Sequence, residues 1–328
     1  MNLLLIKTSS LGDVIHMLPA LTDAAVAVPD IRIDWLVEQS FAAIPAWHAC
    51  VDRVIPIAMR RWKKELTSCS TWQDIGLARG TLKTRNYDLI LDSQGLLKSA
   101  MWSCMAKGPT AGYDRHSIRE PLASYFYDRR LKVSRHQHAI DRNRQLMAKA
   151  LGYAFTETAP NYGLQGLSSR LKGIDSSLPM QAVVGLHGTS RADKLWPVEA
   201  WILLSKALAS MDHSLILPWG NDEEYQRAQH IARNSSNVHV LPRLGLDELA
   251  CILDQSRAVV GVDTGLLHLA AALGKPGVAL YTATPPELTG AVSDRSAHLP
   301  LRNLSMPNEL QPAEVSRCMC EILQSIQP

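Results

Sequence analysis

The residues best suited to chemistry sit at strand-to-helix turns. The first turn reads Lys7-Thr8-Ser9-Ser10-Leu11-Gly12-Asp13-Val14-Ile15-His16. An apolar run ends at Lys7 and a helical pattern starts near Asp13. In open α/β sheets ligands lie beyond the carboxyl ends of the strands, and Gly12 lets the backbone come close to one. Asp13 has two readings: an N-cap that accepts hydrogen bonds from free N–H groups, or a carboxylate general base. The loop is neither a Walker loop nor a G-x-G-x-x-G fingerprint. It therefore points away from a nucleotide phosphate on this half and away from a dehydrogenase.

The second turn is sharper. Val262-Asp263-Thr264-Gly265-Leu266-Leu267-His268 follows a buried apolar run and opens a helix. Free N–H groups and the positive end of the helix dipole suit a diphosphate there. Thr264 adds a hydroxyl, Gly265 permits close approach, and His268 falls in the first turn or so. A capped helix with a core histidine is the alternative.

A third segment, His187-Gly188-Thr189-Ser190-Arg191-Ala192-Asp193-Lys194-Leu195-Trp196-Pro197, again links a strand to a helix. Thr189 and Ser190 offer hydroxyls. Lys194 is either a solvated loop lysine or a point charge for a phosphate leaving group. Glu224, after Pro218-Trp219-Gly220, reads as an acceptor for ribose hydroxyls or as part of a solvated helix face.

Positioning these turns requires a repeating β-α pattern, and the chain has one. Apolar runs at 3–6, 33–37, 53–57 and 87–91 alternate with helical patterns at 14–26, 74–85, 96–106 and 135–151. Residues 152–179, richer in Gly, Ser, Thr and Pro, read as the crossing between domains. The rhythm restarts with strands at 182–186, 214–217, 238–241, 258–262 and 278–281, separated by helical patterns at 196–210, 222–233, 246–255 and 266–273. Parallel sheets covered on both faces follow, and two similar halves imply a cleft between them as the ligand site.

Composition is that of an ordinary globular protein. The 328 residues are 46% hydrophobic and 20% charged. No run of about 18 apolar residues exists to span a membrane, and the short apolar start lacks the basic flank of a signal peptide. Six scattered cysteines, none in a C-x-x-C pair, read as free thiols of a reducing cytoplasm. The net charge of +3 conceals a division. Residues 1–165 carry 21 Lys and Arg against 15 Asp and Glu, the remainder 13 against 16. Basic clusters at Arg60-Arg61-Trp62-Lys63-Lys64, Arg115-His116-Ser117-Ile118-Arg119 and Arg129-Arg130-Leu131-Lys132, with Lys98, read as solvated faces or as the seat of a polyanionic partner. Without interleaved aromatic and basic motifs nucleic acid is a weak candidate, and a phosphorylated lipid or membrane surface suits them at least as well.

Together these segments resemble the ADP-heptose:lipopolysaccharide heptosyltransferases, most closely their type I branch. The likeness runs over nearly the whole chain. It rests on 7–16 with Leu18-Pro19-Ala20-Leu21, on Ala58-Met59-Arg60-Arg61-Trp62, and on Asp92-Ser93-Gln94-Gly95-Leu96-Leu97-Lys98-Ser99. It continues in Arg119-Glu120-Pro121-Leu122-Ala123-Ser124, Asp193-Lys194-Leu195-Trp196-Pro197, Leu217-Pro218-Trp219-Gly220 and Val262-Asp263-Thr264-Gly265.

The resemblance implies a GT-B fold, two Rossmann-like α/β domains facing a cleft: an acceptor domain at 1–165, a nucleotide-sugar domain at 166–311, and a helix at 312–328 returning to the first domain. It implies transfer of L-glycero-D-manno-heptose from ADP-heptose to a Kdo sugar of Kdo2-lipid A, at the cytoplasmic face of the inner membrane, by a peripheral enzyme. Asp13 takes the role of base and Lys194 contacts the donor. Thr189, Ser190, Glu224, Leu244, Asp263, Thr264, Gly265 and His268 complete the donor site, with Leu244 beside adenine. Ser10, Gly12, Arg60, Arg61, Lys64, Lys98 and Arg119 face the anionic acceptor. No cofactor is implied, and the absence of a D-x-D pair gives no reason to expect a metal. Type II heptosyltransferases and other GT-B sugar transferases are the nearest alternatives. A non-catalytic nucleotide-sugar-binding protein is the alternative of another class.

Overall fold

A computed structural model describes residues 1–171, 179, 181–305 and 308–326. Residues 172–178 of the expected interdomain crossing, and 327–328 of the expected terminal helix segment, lie outside the described residues. The chain separates into two compact units, Met1–Thr158 and Ala159–Pro328. Residues 159–165, expected in the first domain, go with the second. The Tyr162 N–H donates to Asp294 Oδ2 at 2.9 Å and its hydroxyl to the Val292 carbonyl at 2.7 Å.

The first unit contains one six-stranded parallel sheet: β1 (Asn2–Ile6), β2 (Arg32–Glu38), β3 (Val51–Ile57), β4 (Leu89–Asp92), β5 (Thr110–Tyr113) and β6 (Arg129–Leu131), in the order β3-β2-β1-β4-β5-β6. Central strands are buried on both faces, which is why they read as continuous apolar runs. Leu3, Leu4, Leu5 and Ile6 are all fully buried. In register, Leu4 lies opposite Asp34 and Ile90. Leu4, Ile6, Ile55, Ile90, Trp62 and Trp102 belong to one apolar cluster on this sheet.

The second unit repeats the plan. Strands β7 (Ala182–Leu186), β8 (Ser214–Leu217), β9 (Val238–Val240), β10 (Ala258–Val262), β11 (Gly277–Tyr281) and β12 (Leu301–Ser305) run in the order β12-β11-β10-β7-β8-β9, all parallel. Both orders reverse once, between β1 and β4 and between β10 and β7. Such a reversal is where the loops at the carboxyl ends diverge and leave room for a ligand.

Three strands went unread in the sequence. β5 is four residues with an internal glycine, β6 begins Arg129-Arg130, and β12 carries exposed Arg302 and Asn303. β6 and β12 are edge strands, where charged side chains block unwanted pairing and erase the apolar pattern. The Arg129-Arg130 cluster is thus part of a sheet edge. The helical pattern at 14–26 divides into Leu11–Ile15 and Leu18–Ala27, with Pro19 in the first turn of the second piece. Helix Ala139–Leu151 ends at Gly152, whose φ of +83° terminates it in the left-handed region.

The last helix, Pro312–Ser325, carries an apolar stripe at Val315, Met319, Ile322 and Leu323. The resemblance implies a helix that returns to the first domain; the stripe itself lies in the apolar core of its own unit, with Trp201, Leu204 and Val278. An apolar stripe requires a cover without specifying which sheet supplies it.

Candidate active site

In the first unit the loops after β1 and β4 meet at the reversal point. Gln94 Oε1 accepts the N–H groups of Thr8 and Ser9 at 2.9 and 3.1 Å. The Gln94 backbone is fixed in turn: its N–H and that of Gly95 donate to Asp92 Oδ1 at 2.8 and 3.2 Å. Asp92 is fully buried, and Tyr127 donates its hydroxyl to Oδ2 at 2.7 Å. Gly95 adopts φ +69° in this turn, and a Cβ there would meet Ile118 Cγ1 at 2.9 Å. The segment bearing Ile118 and Arg119 therefore lies directly against the β4 loop.

Asp13 is the third residue of helix Leu11–Ile15, and Ser10 is the N-cap. Of the two readings, the N-cap role thus passes to Ser10. The Ser10 N–H and hydroxyl both donate to Asp13 Oδ2, at 2.7 and 2.9 Å. Among the described residues Asp13 Oδ1 has no hydrogen-bond partner, and the side chain is half-buried. The two residues form a capping box, which holds the carboxylate through one oxygen and leaves the other without a partner. Lys7 is buried beside the loop, its ammonium 3.3 Å from the Ser93 carbonyl. Burial pushes its pKa down, while the charges of Asp13 and Asp92 act to raise it. Sequence reasoning did not assign Lys7 or Gln94 a role. Gln94 stands in the sequence only as part of a longer segment, because its contacts with Thr8 and Ser9 bridge two loops 86 and 85 residues apart.

The basic residues of this unit separate into kinds. Arg61 is paired with Asp74. Arg60 lies 5.5 Å over the Phe41 ring and, with Lys98, lines a groove that also includes Ser9. Lys64 and Arg119 are exposed.

In the second unit the loops after β7 and β10 meet at the equivalent reversal, around Asp263. Lys194 Nζ donates to Asp263 Oδ2 at 2.6 Å, and the Thr284 hydroxyl donates to the same oxygen at 2.7 Å. His268 Nε2 lies 3.7 Å from Oδ1, and the Thr189 hydroxyl donates to the Asp263 carbonyl at 3.1 Å. Burial pushes the Asp263 carboxyl up, but hydrogen bonds from His268, Lys194 and Thr284 and the Lys194 charge outweigh it. The net effect holds the group well below the usual carboxylate range. Thr264 is the N-cap of helix Gly265–Ala272 and Gly265 its first residue, so free N–H groups point out beside Lys194's partner.

Glu224 sits between the loops after β7 and β8. Its Oε2 accepts the Gly220 N–H at 2.7 Å, and a Cβ on Gly188 would come within 2.5 Å of its carboxyl carbon. Gly188 is therefore what admits Glu224 to this edge. Ser190 is exposed and Leu244 half-buried before helix Leu246–Gln255. Thr284, 21 residues beyond Asp263, is the participant that sequence reasoning missed.

Two repeated Rossmann-type sheets, one with the Asp13 carboxylate at its reversal point and one with a Lys194–Asp263 ion pair beside a helix N-terminus, fit a glycosyltransferase of the GT-B class. The family model for glycosyltransferase family 9 (heptosyltransferase) matches residues 77–316, and the chain belongs to that family. A Pseudomonas aeruginosa protein named lipopolysaccharide heptosyltransferase 1 is 48% identical over 300 residues, covering 91% of this chain and 83% of the relative. Two solved structures of the Escherichia coli heptosyltransferase WaaC are 40% identical. The one with ADP superposes with a TM-score of 0.88 and covers 99% of each chain. The one with ADP-2-deoxy-2-fluoro heptose gives 0.86, covering 98% of this chain and 99% of the other.

Proposed function

We propose that this glycosyltransferase moves L-glycero-D-manno-heptose from ADP-heptose to a Kdo sugar of Kdo2-lipid A, inverting the anomeric centre, as a step of lipopolysaccharide inner-core assembly. The open Oδ1 of Asp13 takes the proton of the attacking Kdo hydroxyl as the new C–O bond forms. The bond from the anomeric carbon to the diphosphate breaks, and ADP departs with the electron pair. Lys194 and the N-terminus of helix Gly265–Ala272 stabilise that charge. Diphosphate is a leaving group that needs no proton, so one base suffices.

The observation that carries the donor half is the Lys194–Asp263 ion pair, with Thr189 and His268 on the same aspartate. An ionised carboxylate repels a diphosphate, so Asp263 acts as the group that aims Lys194 and His268. Thr189, Ser190, Thr264 and Gly265 offer hydroxyl and N–H donors. Glu224 accepts from ribose, and Leu244 flanks adenine. The relatives' ADP and ADP-2-deoxy-2-fluoro heptose support a nucleotide-sugar donor.

On the acceptor side, Ser10 and Gly12 shape the loop, while Arg60, Arg61, Lys64, Lys98 and Arg119 meet the anionic acceptor. No described helix is long and apolar enough to cross a membrane. The basic first half holds the enzyme peripherally on the cytoplasmic face of the inner membrane. Incubation with ADP-heptose and Kdo2-lipid A, followed by mass analysis, tests the assignment. Addition of one heptose to Kdo2-lipid A supports it; addition only to an acceptor that already carries a heptose gives the type II reading instead.

A further inference from the structure

A groove of about 530 Å3 opens in the first unit beside Ser9. Its wall is apolar, built from Met59, Trp62, Ile75, Trp102 and Met105. Leu66 and Met101 also line it, yet they are 56% and 54% exposed. Exposed apolar surface gathered around a concave site marks a ligand site more often than isolated surface residues do.

The same groove carries Arg60, Lys63 and Lys98. Among the described residues none of the three forms an ion pair, whereas the adjacent Arg61 is held by Asp74. The lining acid, Glu38, is buried and accepts the Arg60 backbone N–H at 3.2 Å. A ligand that relieves both features has a hydrocarbon chain and an anionic head. Ser9 places one end of the groove next to the Ser10–Asp13 loop.

We propose that this groove holds one acyl chain of the phosphorylated acceptor lipid, with Arg60 and Lys98 on its anionic head. The proposal rests on the functional reading for the identity of the lipid; the groove's taste for an anionic amphiphile stands on the lining residues alone. Seating a chain here orients the acceptor relative to the loop that carries Asp13. It also uses apolar contact where the basic residues supply only charge.

The test has a binding arm and a kinetic arm. Dodecyl phosphate, below its micellar concentration, is titrated against the protein and read by tryptophan fluorescence, since Trp62 and Trp102 line the groove. Dodecyl maltoside and inorganic phosphate serve as chain-only and head-only probes. Dodecyl phosphate is expected to bind more tightly than either. The Leu66→Gln, Met101→Gln double variant, altered only at exposed positions and adding no charge, is expected to weaken it about tenfold. Lys98→Ala weakens dodecyl phosphate without affecting dodecyl maltoside. Failure of dodecyl phosphate to bind, or equal binding by the double variant, overturns the groove assignment.

In the kinetic arm, the double variant raises KM about tenfold for Kdo2-lipid A and leaves KM unchanged for de-acylated acceptor and for ADP-heptose. If amphiphile binding is lost while both acceptor KM values stay put, the chain belongs to bilayer lipid and the acceptor assignment is overturned. If no protein transfers heptose to either acceptor, the functional reading falls, and the fluorescence result then decides the groove by itself.

Discussion

The two sheet reversals share a topology and use an aspartate in opposite ways. At the first, the loops after β1 and β4 are tied by a neutral amide, Gln94, and Asp13 is held through Oδ2 alone. At the second, the loops are tied through a charge, and Asp263 is gripped by Lys194, Thr284 and His268. A carboxylate with an unused oxygen can accept a proton from a bound alcohol. One whose protonation is suppressed by three donors is a poor proton acceptor and serves to orient its partners. The fold fixes where a ligand binds, and the loop chemistry at each reversal decides what happens to it.

The strongest way to break this contrast is Asp13→Asn. The amide oxygen still accepts from the Ser10 N–H, so the cap survives while the base is gone. Turnover is expected to fall about a thousandfold, with Tm close to that of the parent chain. Near-parental turnover in a folded variant would remove Asp13 from the base role.

Next is Lys194→Gln, which strips the charge from the second reversal. About a hundredfold loss of kcat with ADP-heptose is expected from lost stabilisation of the leaving group, together with weaker ADP binding by calorimetry. Unchanged kcat and unchanged ADP affinity would leave Asp263 as a structural anchor only.

The second reversal is also the acid-sensitive one. His187, at the end of β7, is buried, with Nε2 3.1 Å from the Pro218 carbonyl. Burial, reinforced by the Arg227 charge, pushes its pKa down to about 4 against the weaker upward pull of that hydrogen bond. A histidine in the unfolded chain takes its proton near pH 6.5. Between there and about pH 4 the unfolded state holds more protons, so stability falls as pH drops, by up to about 3 kcal/mol from this group. Replacing it, as in His187→Gln, flattens that part of the curve. Parallel Tm-against-pH curves for the two proteins would refute the assignment.

Much of the fold is legible in the sequence. The buried central strands β1, β2, β4, β7, β8, β10 and β11 read as apolar runs because helices cover both faces. Asp13, Lys194 and Asp263 could be named as candidates because each lies on the segment that joins such a run to the next helical pattern. The edge strands were hidden by their own protective charge, as at Arg129-Arg130. β5 was hidden by Gly112, where a Cβ would strike the Tyr127 ring at 2.4 Å. Gln94 and Thr284 were hidden for another reason: their partners lie on different loops, 86 and 21 residues away. Sequence spacing alone carries no record of those contacts.

Thr284 supplies the smallest and most discriminating test. Its hydroxyl donates to the same Asp263 oxygen that holds Lys194. Thr284→Val keeps the shape and removes one neutral donor, which is worth about 1 kcal/mol. If Asp263 works by aiming Lys194, loosening it lowers kcat by about five- to tenfold and leaves the KM of the acceptor unchanged. Thr284→Ser restores the rate because the donor returns. A merely structural threonine gives a different pattern: Tm falls in the valine variant while kcat holds in both the valine and the serine variants. That pattern would reduce the second reversal to the Lys194 charge alone, without the geometry that Asp263 imposes on it.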